Sequence, residues 1–253
     1  MASGAMQQCC VSGVLHSGTP TGEVATIAEN VKAYIAQTPD KTSKHAIILL
    51  TDVYGYTFRN SQLLADHFAL NGYVTVIPDL FKGNEVPFPR PDGWSLQEYI
   101  ATTMPRTDTV DPIIEKTVAW LRNEKGISKI GGAGYCFGGK YVVRWLKGPG
   151  VGLDAGYVAH PSFTEADELW GMKGPLSIAA AETDDVFPRE KRHETEDILA
   201  KHNVPYQLFL YSDVEHGFAV RGELQAAKAK FAKEQAFKQA LSWFEEFLKK
   251  EDA

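Results

Sequence analysis

The residue with the clearest potential for covalent chemistry is Cys136, at the centre of the stretch GYCFG. This G-x-C-x-G pattern lies where an apolar run ends and a helical pattern begins, which is the context of a nucleophile elbow. The central residue of such a turn has a strained backbone, so Gly134 and Gly138 supply the positions that must lack side chains. A helix N-terminus next to the sulfur would favour the thiolate. The alternative is a small buried hydrophobe in a glycine-rich turn.

A candidate base and a candidate orienting acid follow Cys136 in the chain. His216 lies in EHGFAVR, after the last predicted strand, and Asp184 and Asp185 follow a strand in AAAETDDVFP. Adjacent side chains of an extended loop point apart, so only one aspartate can meet the histidine, and the residues alone leave both open. The order nucleophile, acid, histidine is that of α/β-hydrolases, which predicts acyl-transfer chemistry.

The remaining histidines are not needed for this chemistry. His160 follows another strand end, in VAHPSF, and we predict that it lines the pocket without proton transfer. Five others are interpreted as surface or core residues: His16, His45, His67, His193 and His202.

The elements that must position these residues alternate between short β-branched runs and amphipathic stretches. This alternation predicts an α/β fold, a mostly parallel central sheet flanked by helices on both faces. Six strands are predicted, at His45–Thr51, Tyr73–Ile77, Lys129–Tyr135, Ala155–Ala159, Leu176–Ala181 and Tyr206–Tyr211. Helices are predicted at Asn60–Asn71, Thr107–Glu124, Gly139–Lys147, Arg189–His202 and Leu224–Lys249.

The chain organisation predicts one α/β-hydrolase domain over residues 1–253. Residues 1–20 are predicted to form an N-terminal extension, and Glu23–Ala36 to form an antiparallel hairpin at one sheet edge. Residues 81–105, rich in Pro, Gly and aromatic side chains, are predicted to be an irregular excursion near the pocket.

Composition limits the partners and the compartment. With a formal charge of −6 and scattered basic residues, the chain is not expected to bind nucleic acid. No apolar run reaches a membrane span and the N-terminus resembles no signal, so we expect a cytoplasmic protein that binds no membrane. We expect a monomer or small homo-oligomer without metal or other cofactor. The adjacent Cys9 and Cys10 are interpreted as incidental, because two cysteines without C-x-x-C spacing make a poor zinc site.

The stretches GYCFGGK, ETDDVFP and EHGFAVR together resemble the dienelactone hydrolase family, also known as carboxymethylenebutenolidases. The similarity runs from about Val31 to the C-terminal helix, and the first thirty residues resemble the fungal and other eukaryotic cytosolic branch. The resemblance implies a triad of Cys136, Asp184 and His216, and it favours Asp184 over Asp185 as the acid. It also implies an oxyanion hole formed by the backbone N–H groups of Val53 and Phe137.

The resemblance also implies the surroundings of the substrate. Asp52, in TDVYG, matches a glutamate that contacts the resting thiol in bacterial members, and Arg221 is the nearest match to an arginine that binds the substrate carboxylate. We expect Tyr54, Trp94 and His160 to line the same pocket; Phe81 and Phe88 are further candidates for its wall.

The predicted reaction is hydrolysis of a small-molecule activated ester or enol-lactone through a thioester acyl-enzyme. Two alternatives remain open. A glutamine amidotransferase also places its cysteine in G-x-C-x-G, although that family has an acid shortly after its histidine, where this chain has Phe218. A non-catalytic protein that binds ligands or senses redox state is the other alternative.

Overall fold

The structure, a computed structural model, describes residues 2–250 and is built on one eight-stranded sheet. The strands are β1 Glu23–Ile27, β2 Val31–Ala36, β3 His45–Leu50, β4 Val74–Pro78, β5 Lys129–Tyr135, β6 Ala155–Ala159, β7 Leu176–Thr183 and β8 Tyr206–Glu215. Their order across the sheet is β1-β2-β4-β3-β5-β6-β7-β8.

The six strands from β3 to β8 run parallel, whereas β1 pairs with β2, and β2 with β4, in antiparallel fashion. The mostly parallel sheet and the antiparallel hairpin at its edge are therefore confirmed. The central strands are nearly continuous apolar runs because both of their faces are covered. The carboxyl ends of β3, β5, β6, β7 and β8 meet at one edge of the sheet, and each candidate catalytic residue follows one of these ends.

Within the described residues, eight α-helices surround the sheet. They are α1 Arg59–Leu70, α2 Leu96–Thr102, α3 Thr107–Asn123, α4 Phe137–Trp145, α5 Ala166–Gly171, α6 Arg189–Leu199, α7 Phe218–Arg221 and α8 Ala227–Phe244.

Two neighbouring glycines of β5 show that both faces of the sheet are covered. Successive strand residues point to opposite faces. A Cβ on Gly131 would lie 2.8 Å from Phe244 of α8, and a Cβ on Gly132 would lie 3.2 Å from Val142 of α4. The glycines let α8 and α4 pack closely on opposite faces of the strand that leads to Cys136.

The N-terminal segment, defined here as residues 2–16, lies across the carboxyl edge of the sheet. It begins with buried Ala2 and Ser3 and places Cys10 and Val11 in the core. Its hydrogen bonds to the rest of the chain include Ser3 N–H to Thr164 O (2.9 Å), Gly4 N–H to Val186 O (2.6 Å) and Val14 N–H to Arg221 O (3.0 Å). The segment therefore covers the region in which the predicted triad lies.

Several predicted boundaries differ from the structure. The excursion over residues 81–105 is not wholly irregular, because α2 forms within it from the capping residue Ser95, whose Oγ accepts the N–H of Glu98. The last predicted helix is divided into α8 and a π-helical turn at Glu245–Lys249. Helices α5 and α7 were not predicted; each is at most six residues long, too short for a helical period to be visible. No helix in residues 2–250 is long and apolar enough to cross a bilayer.

Candidate active site

Cys136 lies in the tight turn between β5 and α4. Its backbone has φ 50° and ψ −111°, a conformation that side chains rarely adopt and that is typical of a strained functional turn. A Cβ on Gly134 would lie 2.7 Å from the carbonyl oxygen of Gly138, and a Cβ on Gly138 would overlap the backbone of Leu50. The structure thus explains both glycines by steric exclusion, as the sequence pattern predicts.

The predicted acid and base are in direct contact at the adjacent strand ends. Asp184 Oδ2 and Oδ1 lie 2.9 Å and 3.0 Å from Nδ1 of His216. Asp184 Oδ1 also accepts the backbone N–H groups of Val186 (2.9 Å) and Phe187 (2.8 Å), which fixes the carboxylate. Asp185, in contrast, is exposed. Because Asp184 accepts from Nδ1, Nε2 of His216 is the nitrogen left for chemistry.

Electrostatics around the sulfur favour a thiolate beside an imidazolium. Burial raises the pKa of Cys136, but a hydrogen bond from Cys10 and the charges of His216 and Arg221 outweigh it, so the pKa lies well below the usual thiol value. Burial lowers the pKa of His216, but Cys136 and Asp184 outweigh it and raise the pKa to about 10. The sulfur of Cys136 lies 3.6 Å from Oγ of Ser162, which is also fully buried.

The two backbone N–H groups predicted to form the oxyanion hole lie in neighbouring parts of the chain. Phe137 opens α4 and Val53 follows β3, and the two loops are joined by the hydrogen bond from Gly138 N–H to Thr51 O (3.0 Å). Within residues 2–250, neither the N–H of Val53 nor that of Phe137 has an acceptor. Both donors remain free for an oxygen that develops negative charge, the requirement for an oxyanion hole.

Asp52 and Arg221 form a buried ion pair under this site. Asp52 Oδ2 accepts from the guanidinium of Arg221, and Oδ1 accepts the backbone N–H of Tyr54 at 3.1 Å. Arg221 also donates to the carbonyl oxygens of Ser12 (2.6 Å) and Cys9 (3.3 Å) in the N-terminal segment. The side chains of the pair are 0% and 1% exposed, so both charges are buried.

The other predicted pocket residues are spread around the site. His160 is fully buried, with its ring centroid 4.9 Å from that of His216, and burial lowers its pKa well below the usual range. The hydroxyl of Tyr54 donates to Val11 O at 2.7 Å. Trp94 is half-buried and, with Tyr54 and Phe88, lines a cleft of about 630 Å³ at the N-terminal segment. The roles of these residues in substrate binding stay predictions.

Sequence reasoning missed the part played by the N-terminal cysteines. Cys9 and Cys10 were interpreted as incidental, but Sγ of Cys10 lies 3.4 Å from Nε2 of His216. One ligand atom from each of Cys9, Cys10 and His216 lies within 4.8 Å of the others, so these residues could together hold a metal ion. The contact spans 206 positions, and the only signal for it was a pair of adjacent cysteines. Ser162, beside the Cys136 sulfur, carried no signal at all.

The chain is similar in sequence to several known proteins. Residues 31–248 match the description "Dienelactone hydrolase family". The chain is 48% identical to the hydrolase pyvD of Aspergillus violaceofuscus, over 96% of this chain and 97% of that protein. It is 45% identical to the hydrolase tropI of Talaromyces stipitatus, over 98% of this chain and 99% of that protein.

A solved structure is similar in fold at low sequence identity. The crystal structure of a dienelactone hydrolase from Anabaena variabilis superposes with a TM-score of 0.66 at 14% identity, covering 92% of this chain and 100% of that one. At this identity the similarity concerns the fold alone.

Proposed function

We propose, from the premise that this chain belongs to the dienelactone hydrolase family, that it hydrolyses its substrate through Cys136 as nucleophile and a thioester acyl-enzyme. Family membership makes the chain a hydrolase of carboxylic esters or lactones with the α/β-hydrolase fold. The nucleophile, the intermediate and the preference for activated esters and enol-lactones are the parts that we propose.

The first half of the reaction is acyl transfer to sulfur. The Cys136 thiolate attacks the carbonyl carbon, the C–S bond forms, and the carbonyl π electrons move onto oxygen. The N–H groups of Val53 and Phe137 stabilise this oxyanion; removing one such donor typically costs about 10²- to 10³-fold in rate. The tetrahedral intermediate collapses, and Nε2 of His216 gives a proton to the departing alkoxide or enolate.

The second half is hydrolysis of the thioester. Water takes the place of the departed alcohol, and neutral His216 accepts its proton while Asp184 stabilises the imidazolium through Nδ1. The hydroxide adds to the carbonyl carbon, and collapse expels the thiolate and the free acid. Because a thiolate leaves more readily than an amide nitrogen from the first intermediate, activated esters and enol-lactones should react and amides should not.

The observation that carries this proposal is the strained turn at Cys136. A positive φ at a cysteine, with close approach on both sides at Gly134 and Gly138, is a cost that packing alone does not require. Phe137, whose N–H is a predicted oxyanion donor, follows Cys136 directly, and His216, which interacts with the sulfur, is already oriented by Asp184. These are the three components that acyl transfer needs.

Cys10 provides the matched control, because its sulfur is also close to His216. We would measure hydrolysis of p-nitrophenyl acetate and of a dienelactone by wild type, Cys136→Ala and Cys10→Ala, each with reductant and a metal chelator. We expect Cys136→Ala to lose turnover. Cys10→Ala removes one of the groups that lower the pKa of Cys136 but keeps the nucleophile at the elbow, so it should retain measurable turnover.

A second readout identifies the intermediate directly. Wild type quenched in acid during turnover should carry the acyl group on the peptide that contains Cys136, as detected by mass spectrometry. Wild-type turnover in Cys136→Ala, or an acyl group found on Cys10, would refute the proposed nucleophile.

A further inference from the structure

The N-terminal segment brings two thiols onto the triad base. Cys9 and Cys10 lie in a 3₁₀ turn at Gln8–Val11, which Arg221 anchors through its hydrogen bond to Cys9 O (3.3 Å). Cys10 is fully buried and Cys9 is half-buried. Cys10 hydrogen-bonds to the sulfur of Cys136, but neither thiol acts as nucleophile, acid or base in the proposed reaction.

The spacing of the three ligand atoms fits a small tetrahedral ion. Zn–S bonds of about 2.3 Å and Zn–N bonds of about 2.0 Å, at the tetrahedral angle, separate a sulfur from a nitrogen by about 3.5 Å. The distance between Sγ of Cys10 and Nε2 of His216 is 3.4 Å, and all three ligand atoms lie within 4.8 Å of one another.

The histidine is also prepared for coordination. Metal-bound histidines usually donate their other ring N–H to a carboxylate, which fixes the ring and raises the basicity of the ligating nitrogen. Asp184 holds Nδ1 of His216 in this way, at 2.9 Å, and leaves Nε2 facing the thiols. Cys9 is partly exposed, so the cluster is not wholly enclosed by the protein.

We propose that Cys9, Cys10 and His216 form a binding site for a borderline-soft divalent cation, for which Zn²⁺ is the probe. Binding forms two metal–sulfur bonds and one metal–nitrogen bond, and the protons of both thiols, with any proton on Nε2, pass to solvent. No oxidation or reduction is involved. The ion fixes the N-terminal segment over the site and occupies the nitrogen that must accept a proton. Inhibition of hydrolysis by the ion rests on the proposed function, whereas binding of the ion does not.

Cobalt spectroscopy on the reduced full-length chain tests the site without any substrate. One equivalent of Co²⁺ should give wild type and Cys136→Ser the near-ultraviolet thiolate-to-cobalt absorption and the visible bands of a tetrahedral site. Cys9→Ser and Cys10→Ser should each lose a large part of the absorption and, by competition with a chromophoric chelator, bind Zn²⁺ at least about 10- to 100-fold more weakly. Circular dichroism of each apo variant checks that it is folded.

The possible outcomes distinguish this site from no metal binding and from binding at Cys136 and His216. Absence of thiolate-to-cobalt absorption in wild type would overturn it. So would full binding by folded Cys9→Ser and Cys10→Ser together with loss of binding in Cys136→Ser, because the ion would then lie on the nucleophile and base. In the hydrolase assay we expect Zn²⁺ to inhibit wild type and to inhibit Cys9→Ser much less. If no substrate is turned over, the cobalt result still decides the metal site.

Discussion

The substitution Gly138→Ala tests whether the geometry of the elbow controls the reaction. Gly138 is the second residue of α4, and its N–H donates to Thr51 O at 3.0 Å, just before the loop that carries Val53. An alanine Cβ here would overlap the carbonyl group of Leu50 and lie 2.9 Å from its Cβ. The contact is with backbone at the end of β3, so no side chain can rotate away to relieve it.

The size of the effect follows from these distances. Carbon atoms pack at about 3.5 to 4.0 Å, so α4 must move away from β3 by about 1 Å to accept the methyl group. The movement separates the Phe137 N–H from the Val53 N–H, which must bind the same oxygen. A misplacement of about 1 Å in a reacting group can lower the rate about 100-fold, and overpacking a core typically costs about 1 to 3 kcal/mol of unfolding free energy.

Gly139→Ala is the matched control in the same helix. Its Cβ would meet Pro161 at 3.0 Å and 3.2 Å, a conflict of only a few tenths of an ångström. Initial rates of p-nitrophenyl acetate hydrolysis and urea unfolding curves would be measured for both variants. We expect kcat to fall about 100-fold in Gly138→Ala, with a much smaller change in Gly139→Ala. Wild-type kcat in a folded Gly138→Ala protein would refute the link between close packing at the elbow and the oxyanion hole.

Three further predictions concern the acid, the thiolate and the buried ion pair. Asp184→Asn should lower kcat by about 10³- to 10⁴-fold, because the amide cannot hold His216 in the required tautomer, while Asp185→Asn should have little effect. If steady-state kinetics showed the reverse, Asp185 would be the acid. Neighbouring groups hold the pKa of Cys136 well below the usual range, so its thiolate persists as pH falls to neutrality. The rate at which iodoacetamide alkylates Cys136, measured by peptide mapping, should therefore change little between about pH 7 and pH 9. A rise of about 25-fold, expected for a thiol with a pKa of about 8.5, would contradict this. Asp52→Asn leaves the buried charge of Arg221 unpaired, so it should lower the free energy of unfolding, measured by urea titration, by about 3 to 5 kcal/mol. A loss below about 1 kcal/mol would show that the pair is not buried in solution.

Features that depend on residues close together in the sequence could be predicted without the structure. The β-branched runs predicted the parallel strands, since burial of both faces requires continuous apolar stretches. The glycines around Cys136 predicted the elbow, because the steric requirement of that turn involves residues only two positions away. The loops carrying Asp184 and His216 could be located as strand ends. The choice of Asp184 came from the family resemblance and agrees with the contact that the structure places between Asp184 and His216.

Which distant groups share the site depends on how the whole chain folds. Arg221 meets Asp52 across 169 positions, and Cys10 meets His216 across 206. Such contacts depend on the whole path of the chain, because a strand order and the packing of an N-terminal segment are set by many weak interactions between remote residues. A pair of adjacent cysteines has no local pattern that encodes its partner, and their position over the triad follows from where the folded segment comes to lie.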